Sequence, residues 1–239
     1  MRQGMHPFEP IGIIESCFKE KFGIPRQPGL VPAAKATLIL KAPYNQTEAL
    51  TGLEDFSHIW LIYIFHGVEQ GKWKPTVRPP RLGGNRRTGV FATRSNFRPN
   101  PIGLSVVKLE RIIAAGADVR LELSGVDLLE GTPVLDIKPY LPYADGIADA
   151  KGGFAPDAPE RCLAVEFTPE ARVIGQQLDA GPAPGILDLI EQVLKLDPRP
   201  AYIGDSSSDR VYGFRIMDFD VKWRIEGGNA IIMAIEQVA

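Results

Sequence analysis

The stretch Asp118-Val-Arg-Leu-Glu-Leu-Ser-Gly-Val126 alternates between apolar and polar side chains. Its first valine and its two leucines fall on one side of an extended chain, and Arg120, Glu122 and Ser124 fall on the other. This two-residue period predicts a β-strand with one buried and one solvated face. Similar short runs occur before and after this strand. Together they predict a mainly β fold.

Runs rich in valine, isoleucine, leucine and aromatic residues recur through residues 1–145, and turn residues separate them. They predict strands at Ile11–Glu15, Ala36–Leu40, Ile59–Phe65, Gly89–Thr93, Leu104–Ile113, Asp118–Val126 and Pro133–Lys138. Thr47–Leu53 is predicted to form a helical turn. Many short strands with little helix indicate an all-β barrel or sandwich.

The proline- and glycine-rich segment Leu141–Pro159 predicts a linker. After it the pattern changes, and residues 160–239 predict a smaller α+β domain. Thr168 is placed to cap a helix that begins with proline, and Ile186–Leu196 carries apolar residues at helical spacing. Further strands are predicted at Leu163–Phe167, Val211–Ile216, Phe219–Ile225 and Ala230–Glu236, with a turn at Glu226–Asn229.

The composition favours a folded chain: 239 residues are 44% hydrophobic and 23% charged, enough for one large or two small domains. No apolar run is long enough to cross a membrane, and Met1–Pro10 lacks the apolar core of a signal peptide. Cys17 and Cys162 lie far apart and in no CxxC pattern, so we expect two reduced thiols. A cytoplasmic location is the expectation that follows.

Positive charge is concentrated in the basic segment, Lys72–Lys108, which holds nine lysines and arginines and no aspartate or glutamate. The whole chain has a formal charge of −2, so the bias is local. Such a segment predicts a polyanion-binding surface, although a solvated surface is the alternative. The residues expected to contact nucleic acid are Lys72, Trp73, Lys74, Arg78, Arg81, Arg86, Arg87, Arg98 and Asn100, with Arg199, Tyr202, Lys222 and Arg224 in the C-terminal domain.

Within the basic segment, Arg94-Ser-Asn-Phe-Arg-Pro-Asn-Pro101 predicts a stiff loop, because its two prolines restrict the backbone. Arg94 and Arg98 can offer planar donors to phosphate or carboxylate groups. Asn100 can contact a base edge, since its amide both donates and accepts. The loop therefore predicts a binding site, and an arginine-rich turn of purely structural role is the alternative.

A second candidate segment is Asp127–Tyr140, in which Glu130-Gly131-Thr132 forms a predicted turn. Asp136 and Lys138 share one face of the strand, which fits a structural ion pair as well as a catalytic pair. Asp136 and Tyr140 could together accept hydrogen bonds from an exocyclic amine and stack its base. Asp136 is the leading candidate to orient or deprotonate such an amine.

Several common motifs are missing from the sequence. No G-x-G-x-x-G follows a strand, and there is no P-loop, which argues against a doubly wound nucleotide site. There is no H-E-x-x-H and no Cys/His cluster, and His6, His58 and His66 are isolated, so no metal site is expected. No G-x-S-x-G elbow is present.

These segments together identify a family resemblance. Ile11–Ser16, Pro25–Gly29, Phe56–Trp60, Gly89–Ser105, Asp127–Tyr140, Asp197–Tyr202 and Phe219–Arg224 resemble the TrmO proteins, also called YaeB, of the TsaA-like family. The resemblance covers the whole chain. It implies a single-sheeted β-barrel domain over residues 1–145 and a smaller α+β domain over 160–239.

The resemblance also implies an activity. TrmO-like proteins look like S-adenosylmethionine-dependent methyltransferases that modify N6 of threonylcarbamoyladenosine at position 37, just 3′ of the anticodon, in threonine tRNA. The resemblance further implies a homodimer with the cofactor near the subunit interface. The absence of a doubly wound nucleotide motif agrees with this expectation.

By resemblance, the cofactor site draws on Pro25, Arg26, Gln27, His66, Gly67, Arg94, Leu104, Leu129, Glu130, Gly131 and Thr132. Asp136, Tyr140 and Lys138 are the expected catalytic residues, the first two assisting loss of the N6 proton and Lys138 or Arg94 holding the carboxylate of the modification. The chain departs from the family at Glu130, where aspartate is usual, and at Cys17 and Asn96, where proline is usual.

Two alternatives to the methyltransferase stay open. A non-catalytic RNA-binding barrel that binds a small nucleotide would explain the basic segment and the stiff loop equally well. A hydrolase acting on a phosphate ester is less well supported, because the sequence offers it neither a metal site nor a nucleophile motif.

Overall fold

The computed structural model describes residues 7–69, 71–160, 163–199 and 210–238. The strands are β1 Gly12–Ser16, β2 Lys35–Leu40, β3 His58–Ile64, β4 Thr76–Val77, β5 Thr88–Gly89, β6 Ile102–Ala115, β7 Asp118–Ser124, β8 Pro133–Pro139, β9 Val165–Phe167, β10 Tyr212–Ile216, β11 Phe219–Glu226 and β12 Asn229–Gln237. The α-helices are α1 Pro142–Asp145, α2 Pro169–Asp179 and α3 Ile186–Lys195, and 3₁₀ turns occupy Thr47–Leu50, Leu53–Asp55, Pro80–Leu82 and Val90–Ala92.

Six strands close into a barrel in the order β1-β2-β7-β6-β3-β8, with β8 pairing back to β1. Every neighbouring pair is antiparallel. Val119, Leu121 and Leu123 of β7 are buried in the barrel, so the alternation along this strand marks the barrel interior. The mainly β fold with a barrel is confirmed, and the sandwich is excluded.

The C-terminal part is α+β, as predicted. Its sheet has the order β10-β11-β12-β9, and β9 joins parallel to β12. Thr168 caps α2, since its hydroxyl accepts a hydrogen bond from the Ala171 amide at 3.2 Å. The apolar face of α3 is buried, including Ile186, Leu189 and Ile190.

Barrel and C-terminal sheet share one apolar core. Phe18, just after β1, forms backbone bridges both to Leu129 beside the barrel and to Ile216 at the end of β10. The Met217 amide donates to the Cys17 carbonyl at 2.7 Å, which joins the two parts next to that bridge. The chain between β1 and β2 is therefore fixed from both sides.

The predicted strand at Gly89–Thr93 is wrong beyond its first residue. Only Thr88–Gly89 pairs, with Thr76–Val77, and a 3₁₀ turn follows. Val90 is buried but Phe91, next to it in the turn, is 74% exposed, so the apolar run is only partly buried. Apolar content without a partner strand does not make a strand.

The predicted helical turn at Thr47–Leu53 and the turn at Glu226–Asn229 are present. The predicted linker holds one helical turn, α1. Cys17 is a free, buried thiol, and burial raises its pKa to about 11, so the thiol stays protonated and unreactive. Cys162 lies outside the described residues.

Among the described residues, no helix has the length and apolar content to span a membrane.

Candidate active site

A cleft of about 440 Å³ opens at one end of the barrel, where β3 ends and β6 begins. The Phe65 amide donates to the Pro101 carbonyl at 2.8 Å, which holds together the chain leaving β3 and the chain entering β6. Most of the predicted cofactor residues line this cleft. They are Pro25, Arg26, Gln27, His66, Gly67, Arg94, Leu104, Leu129 and Thr132.

Four cationic side chains line the cleft: Lys21, Arg26, Arg94 and Arg98. The Arg94 guanidinium donates to Oε1 of Gln27 at 2.6 Å, which orients its planar donors. Lys21 donates to the Gly67 carbonyl at 2.5 Å. The cleft is therefore suited to a ligand that carries carboxylate or phosphate groups.

Arg98 braces the loop that contains it through hydrogen bonds to backbone carbonyls. Its Nη1 donates to the carbonyls of Val90 at 3.3 Å and Thr93 at 2.7 Å. These bonds tie the stiff loop to the 3₁₀ turn that precedes it. The predicted RNA contact by Arg98 therefore competes with a bracing role.

A polar chain runs from the barrel interior into the cleft. The fully buried Ser105 hydroxyl donates to Oδ1 of Asp127 at 2.6 Å. Tyr63 lies with its hydroxyl 3.3 Å from the Ser105 oxygen and, with the serine hydrogen engaged, acts as the donor. Desolvation raises the pKa of Asp127 from 3.8 to about 6, against lowering by Ser105 and by the charge of Arg94.

Among the residues that the structure describes, Asp127 is the one acidic side chain in the lining. Asp127 lies within the candidate segment Asp127–Tyr140, but no role was predicted for it from the sequence, and none was predicted for Tyr63, Ser105 or Lys21. Only a correct strand register could have brought these residues together. Tyr63 and Ser105 both face the barrel interior from neighbouring strands.

Glu130, the predicted cofactor residue that departs from the family pattern, points away from the cleft. Its carboxylate accepts from the Ser16 amide at 2.5 Å and pairs with Lys19 at 3.0 Å. Neither Glu130 nor Gly131 is among the lining residues, although the turn that contains them borders the cleft. The glutamate thus fastens this turn to the end of β1.

The predicted catalytic residues lie on another surface of the barrel. Asp136 and Lys138 form an exposed ion pair at 2.9 Å on β8, outside the cleft lining. Tyr140 packs its ring against Trp60 and His58, with ring centroids 6.0 and 6.5 Å away. The structure does not bring these three residues to the cleft.

The basic segment surrounds a smaller cleft of about 240 Å³ next to the first. Arg98 and Val68 line both clefts. Trp73, 48% exposed, lines the smaller one together with Lys72. The other predicted RNA contacts of the segment are exposed on the same stretch of chain: Lys74, Arg78, Arg81, Arg86, Arg87 and Asn100.

Some of these cations already have partners. Lys72 pairs with Glu69, and Arg81 donates to the Asp157 carbonyl. Arg87 donates to the Thr76 hydroxyl at 3.0 Å. These exposed contacts are weak enough to be exchanged for phosphate groups.

The predicted RNA contacts in the C-terminal part are less available than those of the basic segment. Arg199 is only 5% exposed and makes two hydrogen bonds to the Asp197 carboxylate, at 2.7 and 2.6 Å, so the structure does not support an RNA contact there. Lys222 and Arg224 lie on β11 and pair with neighbouring acids. Tyr202 lies outside the described residues.

Comparisons with known proteins agree with this architecture. Profiles of the tRNA-methyltransferase O N-terminal domain and the TrmO C-terminal domain match residues 13–146 and 160–238. The chain is 49% identical over 229 residues to the tRNA (adenine(37)-N6)-methyltransferase of Escherichia coli, covering 96% of this chain and 97% of that protein. It is 55% identical over 218 residues to RcsF of Pseudomonas aeruginosa, named for an S-adenosylmethionine-dependent methyltransferase activity, covering 91% and 92%.

A crystal structure of TrmO from Pseudomonas aeruginosa superposes with a TM-score of 0.81 at 45% identity, covering 97% of this chain and 98% of that one. The closed barrel and its cleft, with these relatives, define a tRNA methyltransferase of the β-barrel class rather than the doubly wound class. The chain belongs to the TrmO family.

Among residues 7–69, 71–160, 163–199 and 210–238, no group of three or more histidine, cysteine or acidic side chains is arranged to hold a metal ion.

Proposed function

We propose that this protein methylates N6 of threonylcarbamoyladenosine at position 37 of threonine tRNA, with S-adenosylmethionine as the methyl donor. The observation that carries the proposal is the barrel-end cleft, which gathers most of the residues expected to hold the cofactor. The Escherichia coli relative, named as an adenine(37)-N6 methyltransferase, supports the reaction class. A tRNA substrate also fits the expected cytoplasmic location.

The residues present fit S-adenosylmethionine. The cleft volume of about 440 Å³ lies within the range of small-molecule sites. Arg26 and Arg94 can bind the carboxylate of the cofactor. When bound, the cofactor supplies an electrophilic methyl group on a sulfonium sulfur.

The main contribution of the protein to methyl transfer is to position the cofactor and the substrate. Gln27 fixes the guanidinium of Arg94, so that Arg94 can hold the carboxylate of the cofactor or of the threonylcarbamoyl group. The apolar residues of the lining, among them Leu104 and Leu129, limit access of water to the reacting atoms. Such a site places nitrogen and methyl carbon in line at little entropic cost.

We propose a homodimer that completes the site. On the outer face of β3 and β6, Ile62 pairs with Leu104 and Ile64 with Ile102. Ile102 and Leu104, at the start of β6, are 41% and 48% exposed. This apolar strip borders the cleft, since Ile64, Ile102 and Leu104 also line it. A partner packed on the strip would bury it.

In such a dimer, the Asp136, Lys138 and Tyr140 surface of one subunit can approach the cleft of the other. Asp136 lies beside Ile62 in the barrel register, one strand away from the apolar strip. Lys138 could then hold the carboxylate of the modification, and Tyr140 could stack on the base. We propose these roles for the substrate side of the site.

The basic segment provides the proposed tRNA surface. Its exposed lysines and arginines can bind the phosphates of the anticodon stem-loop, and Trp73 in the smaller cleft can stack a neighbouring base. Lys222 and Arg224 on β11 are proposed as further phosphate contacts in the C-terminal part.

The test combines binding and catalysis. Calorimetry should detect S-adenosylmethionine binding, and mass spectrometry of threonine tRNA should show one added methyl group on the threonylcarbamoyladenosine. Threonine tRNA that lacks the threonylcarbamoyl group is the matched control and should stay unmethylated. Cofactor and tRNA binding without any methyl transfer would indicate a non-catalytic RNA-binding barrel instead.

A further inference from the structure

The cleft contains a carboxyl group that the proposed cofactor and substrate contacts leave without a chemical role. Asp127 is partly buried at the cleft wall and is the only acid among the lining residues. Among the described residues, its hydrogen-bond donor is the Ser105 hydroxyl, at 2.6 Å. The carboxyl group is thus held in one orientation while remaining in contact with the cleft.

We propose that Asp127 is the general base that accepts the N6 proton of the modified adenosine, held in place by the Tyr63–Ser105 chain. This inference rests on the proposed methyltransferase function. The N6–H bond breaks and its proton passes to the Asp127 carboxylate. The electron pair left on nitrogen forms the bond to the methyl carbon, and the pair of the broken carbon–sulfur bond stays on sulfur, which becomes a neutral thioether.

The surroundings of Asp127 suit a base. The nitrogen carries an acyl group that delocalises its lone pair, so loss of the proton makes the pair available for methyl transfer. A partly buried carboxylate is a stronger base than a solvated one, because desolvation penalises its charge. The hydrogen bond from Ser105 and, less strongly, the charge of Arg94 lower the pKa of Asp127, so that the group is still ionised near neutral pH.

Asp136 is less suited to remove the proton. Its carboxylate is already engaged in an ion pair with Lys138 at 2.9 Å. It also lies outside the cleft that collects the expected cofactor residues. Its proposed contribution is therefore to position the substrate, while Asp127 takes the proton.

The first experiment compares Asp127→Asn with the wild-type protein. Asparagine keeps the shape and can still accept from Ser105, but it cannot take a proton at neutral pH. We expect kcat to fall by about 100-fold or more while Kd values for S-adenosylmethionine and tRNA, measured by calorimetry, stay close to those of wild type. Wild-type turnover by the variant, or a loss of cofactor affinity that accounts for the lost rate, would overturn the proposal.

The second experiment tests the link to Ser105 through pH. The hydrogen bond from Ser105 lowers the pKa of Asp127, so Ser105→Ala should raise it. We expect the acid limb of the kcat/KM profile to move to higher pH by about 0.5 to 1, and the Asp127 carboxyl resonance of the unliganded protein to titrate higher by the same amount. The other ionisable groups facing the cleft are still present in this variant: Tyr63, Lys21, Arg26, His66, Arg94 and Arg98. Tyr63 loses its hydrogen bond to Ser105.

Ser124→Ala is the matched control. The Ser124 hydroxyl also donates to a carboxylate, Glu110, at 2.6 Å, but neither residue lines the cleft. The control should leave the acid limb in place. An acid limb that is the same in Ser105→Ala and wild type would contradict the role of Asp127.

The proposed methyltransferase function and the proposed role of Asp127 can fail separately. If the wild-type protein transfers no methyl group to threonylcarbamoylated tRNA, the proposed function fails. If the wild-type protein is active and Asp127→Asn is equally active, only the role of Asp127 fails.

Discussion

At the residue scale, Asp127 costs the protein stability in its resting state. Its pKa is raised from 3.8 to about 6, so the folded protein binds this proton more tightly than the unfolded chain does. The stability contributed by this group therefore declines as pH rises from about 4 to about 6, and the ionised form costs about 3 kcal/mol at neutral pH. Desolvation of the carboxylate accounts for both effects, because it destabilises the ionised form and makes it a stronger base.

We predict that Asp127→Asn stabilises the unliganded protein by about 1 to 3 kcal/mol at neutral pH, because it removes that charge. The gain should shrink steadily toward about pH 4, where Asp127 of the wild-type protein is largely protonated. Urea denaturation at several pH values measures it. A gain that does not vary with pH would show that the charge is not its cause.

Gly103 sets the position of Tyr63. A Cβ atom at residue 103 would lie 2.3 Å from two ring carbons of Tyr63, so the ring can cross the barrel interior only above a glycine. We predict that Gly103→Ala displaces Tyr63, lowers stability by about 1 to 3 kcal/mol and slows methyl transfer. Thermal unfolding and turnover assays measure the two effects.

Gly89→Ala is the comparison for this prediction. No heavy atom lies within 4 Å of a Cβ added at Gly89, and its φ of −56° suits any residue. That variant should retain wild-type stability. Equal losses in both variants would mean that the Tyr63 contact is not responsible.

Some residues of the candidate site could be predicted from the sequence and others could not. The family resemblance pointed to residues such as Arg26, His66 and Arg94, which the fold then gathered in one cleft. It gave no role to Asp127 and missed Ser105, because their significance depends on a hydrogen bond across 22 positions of sequence. Asp136 and Lys138 share a face, as the two-residue period predicts, yet that face is outside the cleft.

At the scale of elements, period and turn chemistry predicted most strands and both longer helices. The main failure was residues 90–93, where an apolar run lies in a turn that carries an exposed phenylalanine. Its conformation is set by contacts from elsewhere, including the Arg98 donors and the Val90 amide, which donates to the Pro75 carbonyl. Contacts between residues distant in sequence produce no periodic pattern, so the turn could not be predicted from the sequence.

The basic segment is expected to bind tRNA phosphates, which charge reversal within it can test. Arg86 and Arg87 are exposed and lie apart from the large cleft. We predict that the double substitution of both by glutamate weakens tRNA binding and flattens the salt dependence of log K by about 1 to 2, with the cofactor Kd unchanged. Filter binding across a salt series measures it.

The control makes the same charge change elsewhere on the barrel, with Arg111→Glu and Arg120→Glu on β6 and β7. Both side chains are exposed and lie outside the basic segment. This variant should keep most of the salt dependence. If the two double variants behave alike, net charge alone determines the affinity and the segment is not a defined surface.

At the scale of the whole molecule, the apolar strip beside the cleft predicts the assembly state. We expect the wild-type protein to be a dimer, and Ile62→Lys to shift it toward monomers, because a buried lysine at a subunit contact would lose its hydration. Light scattering coupled to gel filtration measures this shift. Methyl transfer should fall with the dimer fraction if the partner completes the site.

Ile13→Lys provides the comparison, since Ile13 is an exposed isoleucine on the outer face of β1, away from the strip. It should leave the assembly state unchanged. A wild-type protein that is monomeric at all concentrations would remove the dimer from the proposal and leave Asp136 without a route to the cleft.

The double bridge made by Phe18 has a consequence for how the molecule comes apart. Because one residue joins the turn beside the cleft to the end of β10, neither part can open without exposing the same apolar seam. Scanning calorimetry should therefore record one heat-absorption peak for the barrel and the C-terminal sheet together. Chain cleavage within the intervening linker, residues 141–159, should leave two fragments that stay associated until that peak.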